Sequence, residues 1–577
     1  TISVPGSAIG TATDLDGKYA LSVPEGATLI FSFIGFESQR VVVSNQSVID
    51  VILNEDLASL EEVVVVGYGT QQKSHLTGSV GSLEMDQELS SRPMVEFGQA
   101  LYGKIAGVQV INSNGRPGGS STIQIRGINS ISANSSPLIV IDGIPLPNYD
   151  LNLINPSDIA SIEILKDAAS AAIYGSRGAN GVVLVTTKSG KSGKGKVTIN
   201  YSYGLQEKID KIEVMNSAEY AQASIDAAQN GWLESGGDPN APNTVEARGH
   251  YKYTWPEAFN NPESLPNTDW QDLIFRVAPM QRVDINVSGG NENTNYLISG
   301  GYVNQEGIVI NSDYKKYSLN LKVSSKVADW AEIGGMLNVV YDHENEPYNR
   351  IVEWAVQYPQ VFPVYGNNGY LGEPSTTSGY ENYGAILFRA VNGHPLYRIS
   401  DDIQHKNFNS LGNIYANFNL LQGLNFRSSL NYLYRRGDDT NYQAVDHNMG
   451  PNYITEGAMT VNQNNRMNYN WQNLLTYEKA FEGHEFSIML GNEYFKDNYY
   501  FTSAQRRGFN NDLVPYLSGG QNIFQASDNA TERVLISYFS RVTYNYKGKY
   551  LASASYRRDG SSRFGPNKKW GSFPSLS

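Results

Sequence analysis

Cysteine is absent from the 577 residues, which removes disulfides, thiolate metal sites and cysteine nucleophiles together. Charge is sparse: Asp, Glu, Lys and Arg make up 18% of the chain, against roughly 25% in an average soluble domain. Long apolar runs are missing too, and none approaches the ~18 residues of a helical membrane span. Hydrophobic residues reach only 40%, so no large aliphatic core replaces the missing charge. The 44 basic and 57 acidic residues leave a net charge of −13, which argues against nucleic acid as a partner. Gly (55), Tyr (38) and many Asn and Ser fill the composition instead. That mixture favours many strands and turns over a helical enzyme. The length implies several units or one large barrel. The chain opens at Thr1 without Met or a signal sequence, as a processed protein or a fragment does.

Three rhythms follow one another. Residues 1–55 are short β-runs with turns between them. Asp16-Gly17 reads as a hairpin turn, and Leu29 to Ile34 and Val41 to Val43 read as strands. Asp14-Leu15-Asp16-Gly17 has the look of a calcium loop, but Lys18 stands where the third acidic ligand belongs. Residues 56–73 read as a linker holding Glu61, Glu62, Val63, Val64, Val65, Val66 and Gly67. Four successive valines are either a core strand or a strand kept for another protein's sheet edge. Residues 74–190 mix α and β. Leu101 to Ala106 is predicted helical, Val108 to Ile111, Thr122 to Arg126 and Val182 to Thr187 are predicted strands, Leu138 to Pro145 is read as a buried strand running into a turn, and Asp167 is placed to cap a helix through Tyr174 that Gly175 ends. Lys188, Lys191, Lys194 and Lys196 lie among Gly and Ser as a basic linker, either solvated or touching anionic headgroups.

From Lys196 onward strict alternation dominates. Val197, Ile199, Tyr201, Tyr203 and Leu205 interleave with polar residues, as do Tyr317, Leu319, Leu321 and Val323, and later Val534, Ile536, Tyr538, Val542, Tyr544 and Tyr546. Roughly eleven such segments of about ten residues or more carry the pattern of a transmembrane β-barrel. A soluble sandwich alternates as well. The segments are too long for one, however, and Tyr432, Tyr434, Tyr494, Phe495, Tyr544 and Tyr546 are read as sitting near segment ends, like rings at a lipid boundary. The other face is Asn, Ser, Thr, Arg and Gly, which suits a hydrated lumen and not a packed core. Stretches from about Glu344 to Lys406 and Arg436 to Arg466 are expected to be external loops, which either bind polar ligands or pack on each other. Ser217 to Asn230 is predicted helical, capped by Asn216 and Glu219.

Catalytic patterns fail one by one. His484-Glu485 starts like a zinc-binding helix, but Ile488 occupies the second ligand position in a strand-like run. Gly175 to Gly181 is glycine-rich, yet it leads from helix to strand, the reverse of a phosphate cradle. It reads as a tight turn packed on a neighbouring element. No enzyme, metal or cofactor is expected.

The chain resembles the SusC/RagA-type TonB-dependent outer-membrane transporters of Bacteroidetes. The resemblance is carried by Glu61 to Gly69, by Ile125-Arg126-Gly127, by Ile141-Asp142-Gly143-Ile144-Pro145 and by Leu165 to Gly190, which contains Lys166, Asp167, Tyr174, Gly175, Arg177, Gly178, Asn180 and Gly181. Thr294 to Tyr341 and Asp559 to Gly565 fit barrel segments. It implies a mainly β protein: a carboxypeptidase-regulatory-like β-sandwich (1–55), a TonB box, a plug domain (74–190) and the first part (191–577) of a 22-stranded barrel. About half of those strands fit in this length, so an incomplete chain unable to close a barrel alone is expected. The resemblance further implies a SusD-like lipoprotein lid, energy from TonB with ExbB and ExbD, outer-membrane lipid around the wall, and import of polar oligomers, oligosaccharides or peptides. A passive porin, a siderophore-type receptor and a secreted glycan-binding β-protein are the alternatives. Substrate-contacting residues are not legible.

Overall fold

The computed structural model describes the chain apart from residues 1, 5–9, 12, 15–16, 25, 33–38, 45, 47, 54–62, 67–68, 73–78, 86–93, 113–114, 128–134, 147–150, 367–368, 370, 372–393 and 446–455. At the N-terminus, β1 (Ile2–Ser3), β2 (Gly10–Thr11), β3 (Thr28–Phe31) and β4 (Gln39–Val42) form a sheet in the order β2-β1-β3-β4. Ile2, Leu29 and Phe31 are its buried face, and Tyr19 meets Phe31 edge-on at 5.4 Å. Within the motif that only superficially resembles a calcium loop, Gly17 has φ +79 and Asp14 accepts the Lys18 amide at 2.8 Å; Leu15 and Asp16 lie outside the described residues.

The valine run forms β5 (Val63–Val66), paired antiparallel with β6 (Gly69–Gln72) and lying beside the following domain. Glu61, Glu62 and Gly67 lie outside the described residues. Then β7 (Val80–Glu84), β10 (Leu138–Ile141), β11 (Ile144–Leu146), β12 (Ile159–Leu165) and β13 (Val182–Thr187) build a five-stranded sheet in the order β11-β10-β13-β12-β7, with β8 (Val108–Asn112) and β9 (Ser121–Ile125) as a separate hairpin. Among the described strands of this unit, only β10 and β13 run parallel. Both faces of this sheet are covered, so its strands read as unbroken apolar runs. Ile139, Ile141, Val183 and Val185 enter one core and Leu138, Val140, Val182 and Leu184 another. The helix expected over Leu101 to Ala106 lies instead at Gly98–Leu101, where Ala100 and Leu101 are buried. Gly103 and Gly107 both take positive φ and end helical geometry early.

The remaining strands make one twelve-stranded antiparallel sheet in sequence order: β14 (Gly193–Gln206), β15 (Ala278–Gly290), β16 (Thr294–Glu306), β17 (Asp313–Ala328), β18 (Ala331–Glu346), β19 (Asp402–Leu421), β20 (Leu424–Gln443), β21 (Ala458–Phe481), β22 (His484–Arg507), β23 (Asn522–Tyr546), β24 (Tyr550–Ser561) and β25 (Trp570–Leu576). Its burial is inverted relative to a soluble protein. Ile199 (65%), Leu430 (54%) and Leu490 (52%) are exposed, whereas Glu493 (1%) and Arg557 (0%) are buried. Among the described residues no second sheet covers the apolar face, so the sandwich alternative fails on its own criterion. One end has tight turns, such as Glu482–Gly483, where both φ values are positive as a two-residue hairpin requires. The other end carries the long connections, the arrangement of periplasmic turns and extracellular loops.

Two expectations need correction. Strands extend well past hydrocarbon length, so the predicted loops shrink to 347–401 and 444–457, and Lys194 and Lys196 belong to β14. Tyr494 is therefore mid-strand, and Phe495 faces inward, 1% exposed. The rings that do mark boundaries are Phe481, His484, Phe486, Tyr544 and Tyr546, stacked at the tight-turn end, and Tyr302, Tyr317, Tyr341 and Phe408 near the other. On β19, Phe408 and Phe418 are separated by about 33 Å of strand, or about 25 Å of height after a ~40° tilt, the thickness of an outer-membrane apolar band.

Outside the wall's end, the helix Ser217–Glu234 starts at the expected capping box, with Asn216 and Glu219 bonding each other's amides at 3.0 Å. It packs over Phe259, Trp270 and Tyr358. His394 sits between Trp270 and Tyr358 at 4.8 and 4.9 Å, and burial pushes it down to about 3, so it stays neutral.

Candidate functional site

The α/β unit lies inside the curve of the sheet, and the contact between them is where charged side chains converge. Gly175 adopts φ +59 and kinks the segment Ala172–Gly178. A Cβ there would collide with Asp559 and approach Arg557 Nε at 2.8 Å, so only glycine allows this approach to β24. Two residues on, Arg177 Nη2 donates to both Glu493 oxygens at 2.8 and 2.6 Å and stacks on Phe495 at 5.6 Å. Arg557 donates from Nη2 to Glu493 at 2.7 Å and to Ser537 at 2.8 Å, from Nε to Asp559 at 2.7 Å, and from Nη1 to the Ile173 carbonyl at 2.8 Å. Asn470 adds a bond to Glu493 at 2.6 Å. A buried carboxylate between two guanidiniums is thus supplied with donors from the wall and from the inner unit alike.

A second contact joins β15 to the segment before β12. Arg282 bonds Asp284 at 2.7 Å, the Met94 carbonyl at 2.6 Å and Asn155 at 2.8 Å, while Asn155 returns a bond to Asp284 at 2.7 Å. Lys316 reaches the carbonyls of Val95 and Asn152 at 2.9 and 3.0 Å. Asp142 takes the Thr187 amide and hydroxyl at 3.0 and 2.6 Å and pairs with Lys322 of β17 at 3.1 Å. Arg116 contacts Glu344 and Glu346 at 3.1 and 2.5 Å.

The inward face is not wholly polar, contrary to its sequence reading. Met336, Val340, Leu411 and Leu433 of the wall join one core of the α/β unit, and Leu474, Met489 and Phe539 join the other. These patches seat the unit by apolar burial, and the ion pairs between them set its orientation.

The sequence-selected residues therefore divide. Tyr174, Gly175 and Arg177 face the wall, Gly178 packs on Ala171 and Tyr174 within the α/β unit, and Asp142 faces β17. Arg126, Gly127, Gly143 and Gly181 are positive-φ turns inside the α/β unit, Pro145 pairs in β11 and Asn180 bonds the Ser136 carbonyl. Lys166 reaches the Ala106 carbonyl at 3.2 Å. Asp167 caps the helix Ala168–Ala171 and accepts the Ser79 amide. Burial alone raises its carboxyl, but the Ser170 and Ser79 bonds outweigh that and hold it below the usual range. No single ligand pocket unites them. Sequence reasoning missed Glu493, Arg282, Asp284, Lys316 and Arg557; their one signal is charge at inward positions of otherwise alternating strands.

Asp158 ties this contact to pH. Burial lifts its carboxyl to about 6, although it accepts bonds from Ser299 and, at 3.4 Å, Asn320. Its unfolded value is ~3.9. The seated state therefore holds this proton more tightly, and its contribution to seating is full below about pH 4 and lost as pH rises through about 6. Urea release of the α/β unit in the full-length protein should need less denaturant at pH 7.5 than at pH 5. Asp158→Asn should flatten that slope, and an unchanged slope would assign it to other groups.

Comparison with known proteins agrees with this architecture. Residues 72–182 match the TonB-dependent receptor plug domain and residues 1–65 the CarboxypepD_reg-like domain. TonB-dependent receptor P3 of Formosa agariphila is 33% identical over 590 residues, covering 100% of this chain and 54% of that protein. TonB-dependent receptor SusC of Bacteroides thetaiotaomicron is 30% identical, covering 100% of this chain and 56% of its own length. The RagAB peptide importer in its open-open state superposes with a TM-score of 0.71 at 25% identity, over 89% of this chain and 58% of that one. The chain spans about half the length of the curated relatives it matches. With an α/β plug seated by buried ion pairs inside a lipid-facing wall, it belongs to the SusC/RagA-type TonB-dependent receptors, a family of outer-membrane β-barrel proteins.

Proposed function

We propose that the full-length protein actively imports polar oligomers, oligosaccharides or peptides, across the outer membrane. A SusD-like lipoprotein serves as its lid, and TonB with ExbB and ExbD supplies the energy. The observation that carries this reading is the plug itself: a folded domain held inside the wall by apolar patches and buried charge, with the β5–β6 hairpin beside it. A passive porin has no use for a seated stopper. Capture lies with the outer loops and the lid; TonB then recruits β5 by adding a strand to its own sheet, and force unseats the plug. In this reading Glu61 to Gly67 is the TonB box, and Arg126, Asp142, Asp167, Gly175 and Arg177 are plug-seating and plug-folding residues.

Cells carrying the full-length protein and its lid partner should accumulate labelled oligosaccharides or oligopeptides larger than general porins pass. Collapse of the proton-motive force should stop accumulation and leave surface binding intact. Accumulation that continues without the proton-motive force would overturn the reading.

A further inference from the structure

Toward the tight-turn end, a small hollow opens between plug and wall. It holds about 290 Å³ and is bounded by Asp142, Ser189 and Gly190 of the plug and by strands β16 to β20 of the wall. That volume lies at the small end of ligand sites, room for one unit of an oligomer. A glycine shapes the wall there. Gly334 of β18 stands directly opposite Tyr415 of β19. A Cβ at Gly334 would meet Tyr415 Cζ and Oη at 2.5 Å, so its absence lets the ring lie across the wall. The Tyr415 hydroxyl donates to Glu332 at 2.8 Å, and the Arg427 guanidinium of β20 stacks 3.9 Å from the ring centroid. Stacking fixes the guanidinium plane and leaves its N–H edge free to donate.

Two carboxylates and two cations surround the hollow, and only one of the four is unmatched. Asp142 accepts from the Thr187 amide and hydroxyl and from Lys322, and Glu332 accepts from Tyr415. The residues directly opposite Arg427 on the neighbouring strands are Asn417 and Leu474, neither of them an acid. Arg427 has no hydrogen-bond or ion-pair partner among the described residues, and none of its nitrogens is sealed off as Arg177 Nε and Nη1 are. A guanidinium carries five donors, no acceptor and a permanent charge. The rest of the lining is amide and hydroxyl, from Asn295, Asn413, Ser189 and Ser324, with little apolar surface beyond Met336 and Val323.

We infer that this hollow is an exit station for cargo, where Arg427 holds the carboxylate of a uronic-acid unit of an oligosaccharide. The inference rests on the import reading above and narrows its cargo to acidic glycans. A carboxylate is acceptor-only, and its two oxygens match the guanidinium edge with parallel charge-assisted bonds. The lining favours a sugar over a peptide: hydroxyls pair with Asn and Ser, whereas amino-acid side chains call for more apolar surface. Placed between the plug and the tight-turn end, the hollow receives cargo after the plug has shifted.

The test reads the site directly and needs no variant. Purified full-length protein is treated with phenylglyoxal, which modifies accessible guanidiniums, and each arginine is quantified by mass spectrometry. Arg427 should react. Tri-galacturonate should protect it at about tenfold lower concentration than galactotriose, the gain of a charged over a neutral hydrogen-bonded contact. Triglutamate should protect no better than galactotriose, and Arg40, exposed on β4, should react equally throughout. An unreactive Arg427, equal protection by galactotriose or by triglutamate, or protection that extends to Arg40 would overturn the assignment. Collapse of the proton-motive force tests the import reading separately, so either can fail while the other stands.

Discussion

Glu493→Ala should loosen the plug by about 3–5 kcal/mol, the usual cost of stripping one partner from a buried charged cluster. The substitution leaves Arg177 and Arg557 facing each other with no anion between them, both in a dry contact where Arg557 is fully buried. Urea should then release the plug of the full-length protein at a clearly lower concentration, and a glycopeptide antibiotic normally excluded by size should leak into the cell. Arg177→Ala should cost less, about 1.5–3 kcal/mol for its charged hydrogen bonds, because Glu493 keeps Arg557, and Asn470 at 2.6 Å. The ordering is the test. If Arg177→Ala were as damaging as Glu493→Ala, the wall would not hold its own carboxylate.

That asymmetry bears on how a stopper can be both tight and removable. Arg557 is satisfied by Asp559, Ser537, Glu493 and the Ile173 carbonyl, whereas Arg177 donates only from Nη2, its Nε and Nη1 being enclosed without acceptors. Pulling the plug out separates Arg177 from Glu493 and Ile173 from Arg557, but Glu493 keeps Arg557 and Asn470, whereas Lys316 loses the Val95 and Asn152 carbonyls and Lys322 loses Asp142. At this contact an unseated plug therefore leaves Glu493 still paired within the wall.

The half of this design that alternates was legible in the sequence, because period-two patterning writes the facing of each residue directly. The wall, the capping box at Asn216 and the helix-to-strand turn at Gly175 all follow local rules. Strand ends did not, since strands continue above the membrane as polar ribbon: Arg436 to Gln443 and Ala458 to Arg466 pair residue by residue, though they look like loop. Nor was the plug seat legible. Phe495 differs from its neighbour Tyr494 only in which side of the wall it faces, and nothing local marks Leu411 or Leu433 as touching a domain far away in sequence. Partners such as Arg177 and Glu493 lie in different domains, and only folding brings them together.

Replacing Val64 and Val65 with proline should reduce uptake to the level of a strain lacking the protein, while substrate still binds at the surface and antibiotic exclusion stays normal. The reason is local. Adjacent residues of a strand point their amides to opposite edges, so the proline pair removes one donor that β5 would offer to an added strand and one on the β6 side; it lies outside the seat and the loops. In the proposed coupling, load on β5 is carried along the chain toward β7. It passes through β6 to β7, an edge strand that pairs with β12 alone, from Val80–Leu165 to Glu84–Ser161. Just before β7, the Ser79 amide is held by Asp167, which also caps the helix leading to Ile173, Gly175 and Arg177. In that coupling, tension at Ser79 reaches, through Asp167, the segment that grips Glu493 and Arg557. Because β5 pairs with β6 through Val65 and Thr70, the Val→Pro pair also opens this hairpin, and Thr70→Pro separates the two effects. It opens the hairpin from the other strand and leaves the β5 donors intact, so uptake should persist. Uptake that survives Val64→Pro with Val65→Pro, or that vanishes equally with Thr70→Pro, would remove β5 from the role of coupling strand.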